Sequence, residues 1–158
     1  MRLDRLDYNG VYTVAENMRE WDRREIYATR WNENPEDLAS DAMMAFNFGW
    51  LASVEDNPIA VIGGIPTHPG VWSVFMFATP EFNKIQVAMT RFALRQLKPV
   101  LTNVAHRIEC KSMEGHDDAQ NWLELIGFSR ESTIPKYGKN GETFYLYAWT
   151  NPNPEKEP

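Results

Sequence analysis

Apolar residues recur along this chain in two periods, one typical of strands and the other of helices. The β-branched and aromatic stretch Val11–Ala15 predicts a first strand. Residues 16–31 then change to helical spacing, in which Met18, Trp21 and Ile26 can share one face while Arg, Asp and Glu fill the other. The chain is therefore predicted to open with a strand and an amphipathic helix.

A second helix is predicted over residues 34–48, where an Asn-Pro pair supplies the N-cap and the first helical residue. Its inward positions are Leu38, Ala42 and Phe46, and Gly49 is suited to end it. The two helices are therefore expected to follow each other without a strand between them.

Three strands separated by turn residues come next. They are predicted at Trp50–Val54, Ile59–Ile65 and Val71–Ala78. The third is almost continuously apolar, as expected of a strand covered on both faces. Pro80 then opens a helix whose apolar positions recur at helical spacing until Pro99.

The last third of the chain predicts a fifth strand, a short helix and a hairpin. The strand is Arg107–Met113, and the helix HDDAQNWLELIGF is capped by Asp117 or Asp118 and stopped by Gly127. Asn140-Gly141 favours a two-residue hairpin turn. The predicted order is β-α-α-β-β-β-α-β-α-β-β, an α/β (α+β) domain with a mixed central sheet of about seven strands and about four helices.

Composition places this pattern in one globular domain. The 158 residues are 43% hydrophobic and 24% charged, and we predict a single domain over residues 1–150. Residues 151–158, NPNPEKEP, contain no apolar residue and predict a flexible, acidic, Pro-rich tail.

Charge and hydropathy exclude several partners. A net charge of −6 argues against nucleic acid, whose phosphates require a basic face. No run of apolar residues approaches the roughly 18 needed to span a membrane, and the N-terminus lacks the apolar core of a signal peptide. A location in a reducing cytoplasm, or in a particle packaged from one, is expected.

The residues that most often carry chemistry give weak signals here. The single cysteine, Cys110, lies in a predicted strand and is interpreted as a small half-buried side chain, with a reactive thiol as the alternative. His68, His106 and His116 fall in separate loops or strand ends without metal-ligand spacing. We interpret them as surface or capping residues and predict no metal site.

The element order and the helix HDDAQNWLELIGF together resemble the GNAT fold, that of the Gcn5-related N-acetyltransferases. Members commonly show Asn, then Ala three residues later, then an apolar-Tyr pair and a closing Gly-Phe. Here His116 stands at the Asn position, Ala119 and Gly127-Phe128 match, and Trp122-Leu123 occupies the apolar-Tyr pair. The resemblance covers roughly residues 10–150 and implies a helix docked beneath splayed fourth and fifth strands.

A narrower resemblance begins in AENMREWDRREIYA and extends to Trp72 and WLELIGF. These segments resemble the GNAT-like proteins of tailed bacteriophages, a group that is similar to the small internal virion protein of T7-like phages. The resemblance implies a virion or assembly component that contacts other phage or host proteins, in the phage virion or the host bacterial cytoplasm. Fold alone does not carry acetyl transfer with it.

Departures from the GNAT pattern bear on the cofactor. Active members carry Gln/Arg-x-x-Gly-x-Gly/Ala after the fourth strand, where backbone N–H groups bind the diphosphate of acetyl-CoA. This chain has ATPEFNKIQ there, with a carboxylate at Glu81 and no glycine. No cofactor is therefore expected. If acetyl-CoA does bind, the resemblance assigns it to Phe77, Ala78, Thr79 and Lys84.

Proton transfer is the second departure. The resemblance places the general acid at Leu123, which has no proton to donate, so no catalytic residue is predicted with assurance. Tyr137, Tyr145 or Tyr147 could substitute, although a stripe of Tyr on a terminal strand more often forms an exposed or interface face. The candidate bases are Glu81 and Glu109, and both are also explained as surface carboxylates.

Two functions follow. The first is a phage GNAT-fold protein that has lost acetyl transfer and acts through protein contacts. The alternative is an acyl-CoA-dependent N-acetyltransferase with an atypical cofactor loop, acting on a host protein or a small amine.

Overall fold

A computed structural model describes residues 1–152 of the chain. Within them, seven strands form one mixed sheet in the order β1-β2-β3-β4-β5-β7-β6. The strands are β1 Arg2–Arg5, β2 Gly49–Val54, β3 Asn57–His68, β4 Val71–Ala78, β5 Arg107–Met113, β6 Ser129–Ile134 and β7 Phe144–Thr150. The helices are α1 Tyr8–Glu16, α2 Glu20–Tyr27, α3 Pro35–Ala42, α4 Gln86–Phe92, α5 Lys98–Val104 and α6 Asp117–Leu125.

The predicted fold class and strand number are confirmed, and β4 and β5 have the predicted bounds. A π-helical turn, Ala93–Leu97, joins α4 and α5 into one bent helix, so the described residues form five helical bodies where about four were expected. This helix continues past Pro99, contrary to prediction; the proline directly follows the π-helical turn, where the regular i→i−4 hydrogen-bond pattern is already interrupted.

The prediction of a strand at Val11–Ala15 is wrong, since these residues lie within α1. Val11, Val14 and Ala15 are all buried, and that spacing follows one face of a helix. Asp7 caps the helix by accepting a hydrogen bond from the Gly10 amide at 2.8 Å. The apolar spacing and the cap therefore outweigh the β-branched composition, and the first strand is β1.

Smaller corrections concern the ends of elements. Gly49 begins β2, and Phe46, expected to point inward, is 59% exposed after α3 has ended. Neither Asp117 nor Asp118 is the cap of α6, because His116 occupies the N-cap position. The β6–β7 connection spans residues 135–143, so Asn140-Gly141 does not form a two-residue hairpin turn.

Helices cover both faces of the sheet. On one face, α1 and α3 pack on Leu51, Val61 and Phe77 in the larger apolar cluster. On the other, the α4 residues Met89 and Phe92 pack on alternate strand positions, among them Ala52, Ala60 and Ile62. Gly127, with a φ of +107°, follows α6 and ends it as predicted.

The sheet is divided into two arms. The N-terminal arm, β1–β4, is antiparallel throughout, and the C-terminal arm contains β5, β7 and β6. They meet through three parallel pairs between β4 and β5, Val71–Arg107, Trp72–Ile108 and Ser73–Glu109. Beyond these pairs the two strands diverge, which leaves a cleft in the middle of the sheet.

The predicted tail is only partly described. The amide of Asn151 donates to the carbonyl oxygen of His106 at 2.9 Å, and residues 153–158 lie outside the described part of the chain. Across residues 1–152, no helix combines the length and the apolar character needed to cross a membrane.

Candidate functional site

The cleft between β4 and β5 encloses a cavity of about 350 Å³. Its walls are largely apolar. They include Ile62, Val74, Leu97, Leu101, Ile108 and Leu123. The predicted docking of the last helix beneath splayed fourth and fifth strands is confirmed, because α6 contributes Ala119, Trp122 and Leu123 to this lining.

The cleft exposes an unpaired edge of β4. The Thr79 amide donates to the Ile59 carbonyl of β3. The Ala78 amide points away from β3 and donates to the Asp22 carboxylate of α2. Because strand amides alternate in direction, those of Met76 and Val74 also point toward β5, beyond the last pair that β4 forms with it. An extended ligand with amide groups could therefore add to β4 as a further strand.

Two carboxylates of α2 span the wide end of the cleft. Asp22 accepts hydrogen bonds from the Ala78 amide at 2.8 Å and from the Arg19 guanidinium at 2.9 Å. Glu25, three residues along the same helix, accepts from the Met113 amide at 2.9 Å and the Ser112 hydroxyl at 3.0 Å. Each of the diverging strands thus ends against a different carboxylate of one helix.

His116 lies between these carboxylates. Its Nδ1 is 2.8 Å from Glu25 Oε2 and its Nε2 is 3.5 Å from Asp22 Oδ1. Its ring stacks on Trp21 with the ring centres 5.5 Å apart, and the Arg24 guanidinium lies 4.3 Å from the centre of Trp21. Each ring nitrogen therefore faces an oxygen of a different carboxylate, and a nitrogen that carries a proton is placed to donate to it.

The interpretation of His116 as a surface residue is therefore wrong, because it is 4% exposed; it does occupy the N-cap position of α6, although its side chain makes no capping bond. Asp22 is 3% exposed, and this burial raises the pKa of its carboxyl, against the opposing effects of Arg19, the Ala78 amide and His116. Asp22, Glu25 and His116 are named here the bridge cluster.

The turn after β4 satisfies its polar groups internally. Residues Pro80–Lys84 form a 3₁₀ helix that precedes α4. The prediction that a helix begins at Pro80 is therefore confirmed. The Thr79 hydroxyl accepts from the Glu81 amide at 3.3 Å, and the Thr79 carbonyl accepts from the Phe82 amide at 3.1 Å. These two amides are therefore already bound within the turn.

The four residues assigned to a possible cofactor are placed as follows. Phe77, Ala78 and Thr79 are buried at the end of β4, and the Phe77 ring belongs to the larger apolar cluster. Lys84 is exposed and binds Glu81 at 2.7 Å, which lowers the pKa of the Glu81 carboxyl. The cation of the turn is thus paired with a carboxylate of the same turn.

Residues of α6 also tie the cleft walls together. The Trp122 indole donates to the Thr90 hydroxyl of α4 at 2.8 Å, and Lys98 of α5 donates to the Ile126 carbonyl at 3.2 Å. Leu123 lines the cavity at the position that the GNAT resemblance assigns to a proton donor. The side of the cleft that faces the bent helix is therefore crossed by two hydrogen bonds.

Only Tyr137 of the three candidate tyrosines lines the cavity. Tyr147 is fully buried, and its hydroxyl accepts from the Arg130 guanidinium at 3.1 Å. Tyr145 donates to Glu114 at 3.2 Å. An exposed stripe of Tyr was expected on the last strand; this is wrong for Tyr147, because β7 lies between β5 and β6 and is not an edge strand.

The two candidate bases lie apart. Glu109 lines the cleft but binds Arg107 at 2.7 Å, whereas Glu81 belongs to the turn described above. Cys110 also lines the cleft and is half-buried as predicted; burial raises the pKa of its thiol to about 12, so the thiol stays protonated at neutral pH.

No cluster of three or more His, Cys, Asp or Glu side chains in residues 1–152 is arranged to hold a metal ion. His68 and His106 are exposed, as predicted.

Asp22 and Glu25 were not predicted as site residues. The acidic residues of NMREWDRREI were expected on a solvated face, whereas these two point into the molecule. Their spacing of three residues, which puts both on the side of the helix that carries Trp21, is the signal that could have found them.

Comparison with known proteins gives a fold. No family model matches the chain, and no curated protein does. Among solved structures, the ribosomal-protein-S18-alanine N-acetyltransferase from Escherichia coli is 14% identical, with a TM-score of 0.70 over 99% of this chain and 98% of that one.

Two further solved structures agree. The ribosomal-protein-alanine N-acetyltransferase from Brucella melitensis is 10% identical, with a TM-score of 0.68 over 96% of this chain and 100% of that one. A GNAT-family acetyltransferase from Bacillus anthracis is 18% identical, with a TM-score of 0.64 over 95% of each chain. The predicted GNAT fold is confirmed.

Proposed function

We propose that this chain is a GNAT-fold protein that no longer transfers acetyl groups and acts through contacts with other proteins, as a virion or assembly component of a tailed bacteriophage. One observation carries the loss of transfer. Several groups that could hold a diphosphate at the end of β4 are engaged within the chain: Asp22 binds the Ala78 amide, Thr79 binds the amides of Glu81 and Phe82, and Glu81 binds Lys84.

Charge supports the same conclusion. A diphosphate is bound by backbone N–H groups and cations, and here Asp22 and Glu81 present carboxylates to that end of the strand. Lys84, the cation of the turn, is paired with Glu81. A diphosphate would have to displace these contacts and accept repulsion from the carboxylates.

The chemistry of transfer supports it as well. Acetyl transfer from a thioester releases a thiolate, which a general acid must protonate. Leu123 cannot serve, and Cys110, a proton-bearing side chain of β5 in the cleft, is held by burial at a pKa of about 12. Tyr137 would have to act from the loop between β6 and β7.

Exposed apolar side chains support a role in protein contacts. Trp31 is fully exposed after α2, and Met44 and Phe46 are 71% and 59% exposed after α3. Trp is the residue type most often found to dominate binding energy in protein interfaces. The placement in a phage virion rests on the resemblance of NMREWDRREI and the segments that follow it.

Isothermal titration with acetyl-CoA and CoA tests the loss of cofactor binding. We expect no heat and no thermal shift up to millimolar ligand. Micromolar binding, about −8 kcal/mol, would overturn the proposal. Mass spectrometry of purified phage particles tests the virion role, which fails if the protein is absent from the particles.

The alternative is an acyl-CoA-dependent N-acetyltransferase. It is favoured by the cavity of about 350 Å³, the unpaired edge of β4 and the likeness in fold to proteins named as N-acetyltransferases. Under this alternative Phe77, Ala78, Thr79 and Lys84 contact the cofactor, and the acceptor is a host protein or a small amine. Leu123→Tyr, which restores the proton donor, should then raise the rate of acetyl transfer; under the main proposal it creates none.

A further inference from the structure

We infer that the bridge cluster is a latch by which α2 closes the wide end of the cleft and keeps an extended ligand away from the strand ends. Asp22 accepts from the Ala78 amide at the end of β4, and Glu25 accepts from the Met113 amide at the end of β5. A ligand that added to the strands there would compete with these carboxylates for the same donors. The inference applies whether or not the chain transfers acetyl groups.

His116 joins the two carboxylates of the latch. Its Nδ1 lies 2.8 Å from Glu25 and its Nε2 lies 3.5 Å from Asp22. Asp22 is also bound by Arg19, whereas the Arg24 guanidinium lies over Trp21, on which His116 stacks. Loss of the imidazole therefore removes the side chain that lies between the two carboxylates.

Two neutral side chains support the β5 side of the latch. Ser112 donates its hydroxyl to Glu25, and Gln120 of α6 donates to the Ser112 hydroxyl at 3.4 Å and to the Met113 carbonyl at 2.9 Å. Gln120 accepts in turn from Arg130 at 3.4 Å. Ser112 and Gln120 therefore hold Glu25 and the end of β5 in position through neutral hydrogen bonds.

The attachment of α2 is suited to opening. Its C-terminal end is anchored by the buried side chain of Tyr27, which lies in the larger apolar cluster. Its N-terminal half contacts the end of β4 through polar groups, namely the Asp22 carboxylate and the Arg19 amide, which donates to the Ala78 carbonyl at 2.9 Å. The helix can therefore release the end of β4 while Tyr27 stays in place, whereas release of Met113 also requires Trp21 to leave its apolar contacts with Met113 and Phe144.

Hydrogen exchange of individual amides tests the latch. In His116→Gln, which keeps a polar side chain, we expect the Ala78 and Met113 amides to exchange about tenfold faster or more, while those of β3 stay unchanged. Glu20→Gln is the matched control, because Glu20 is an exposed carboxylate of the same helix and its replacement should alter neither amide. Equal exchange in His116→Gln and the unaltered protein overturns the inference.

Titration with CoA completes the test. If the latch excludes ligand, both His116→Gln and Glu25→Gln should bind CoA about tenfold more tightly than the unaltered protein. Faster exchange without any gain in CoA affinity overturns the exclusion of ligand. The proposed function is judged separately, by CoA binding to the unaltered protein, whereas the latch is judged by CoA binding to the variants that is weaker or undetectable in the unaltered protein.

Discussion

The two arms of the sheet are stabilised by different means. The N-terminal arm lies between two continuous apolar clusters, one formed with α1 and α3 and the other with α4. The C-terminal arm has two small clusters, one of which comprises Ala28, Met113 and Phe144 with Trp21. Five of the six residues of β6 are exposed.

Polar contacts take the place of apolar packing in the C-terminal arm. Arg107 binds both Glu109 and Glu131, and Arg130 binds the Tyr147 hydroxyl while lying 3.6 Å from the ring centre of Tyr145. Since such contacts contribute little when exposed to water, we expect the C-terminal arm to be the less stable part of the protein. The difference shows that one continuous sheet need not have uniform stability.

Matched core truncations should give the largest effect on this comparison. Phe77→Ala in the N-terminal arm is expected to cost about 4–5 kcal/mol and Phe144→Ala in the C-terminal arm about 3 kcal/mol, because the smaller cluster can relax around the cavity. Both side chains are almost fully buried, with exposures of 1% and 2%. Urea denaturation measures both, and a larger loss for Phe144→Ala would reverse the order of the arms.

The joint between the arms should be the next most sensitive point. Gly70 has a φ of +82°, and its carbonyl accepts from the His106 and Arg107 amides at 2.9 and 3.1 Å. Gly70→Ala is expected to cost at least about 1–2 kcal/mol, because a Cβ would also meet the His106 ring.

Gly141→Ala is the control for that substitution. Gly141 also has a positive φ, of +90°, but has no heavy atom within 4 Å of an added Cβ. The difference in the free energy of unfolding between the two variants therefore isolates the crowding at the joint. Equal losses would show that the joint tolerates the added methyl group.

The contact between α6 and α4 should have a moderate effect. Trp122→Phe keeps an aromatic ring but removes the hydrogen bond to Thr90, and we expect a loss of about 1 kcal/mol. Thr90→Val should cost about the same, and the double variant should cost less than the sum of the two. If the losses of the two single variants, measured by thermal unfolding, add up to that of the double variant, the hydrogen bond between Trp122 and Thr90 contributes nothing to stability.

The smallest effect is expected from pH at the exposed edge. Hydrogen bonding with Arg107 lowers the pKa of the Glu131 carboxyl from 4.5. The pair therefore stabilises the fold above that unfolded value, and the contribution is lost as the pH falls through the lower folded value. Glu131→Gln should therefore reduce the loss in the free energy of unfolding that occurs on acidification, by less than the loss caused by Trp122→Phe. The free energy of unfolding measured against pH checks this, and an unchanged dependence at acid pH would contradict it.

The sequence predicted the elements whose period matches their packing. β4 is almost continuously apolar and buries Phe77 and Ala78 at its C-terminal end, and Ala119, Trp122 and Leu123 follow helical spacing on α6 and line the cleft. The strand predicted at Val11–Ala15 was wrong. The β-branched residues there favour a strand, whereas the buried positions follow one face of a helix. Local composition therefore failed where tertiary packing decided the conformation.

The bridge cluster could not be predicted in the same way. It joins α2 to the start of α6, and Glu25 and His116 are 91 residues apart in sequence. The spacing of Asp22 and Glu25 in NMREWDRREI places both on one side of α2, but it does not show that this side meets strand amides. By contrast, the absence of glycine from the turn after β4 was visible directly, because it depends on residue type alone.

The parallel joint has a consequence for the order of folding. Strands β2, β3 and β4 form consecutive antiparallel pairs with short connections, so their contacts are local and close at little entropic cost. β5 can join β4 only after residues 79–106 have formed the crossover between them. We therefore expect the β2–β4 meander to form first on the folding pathway, with the union of β4 and β5 a late step that follows docking of the bent helix.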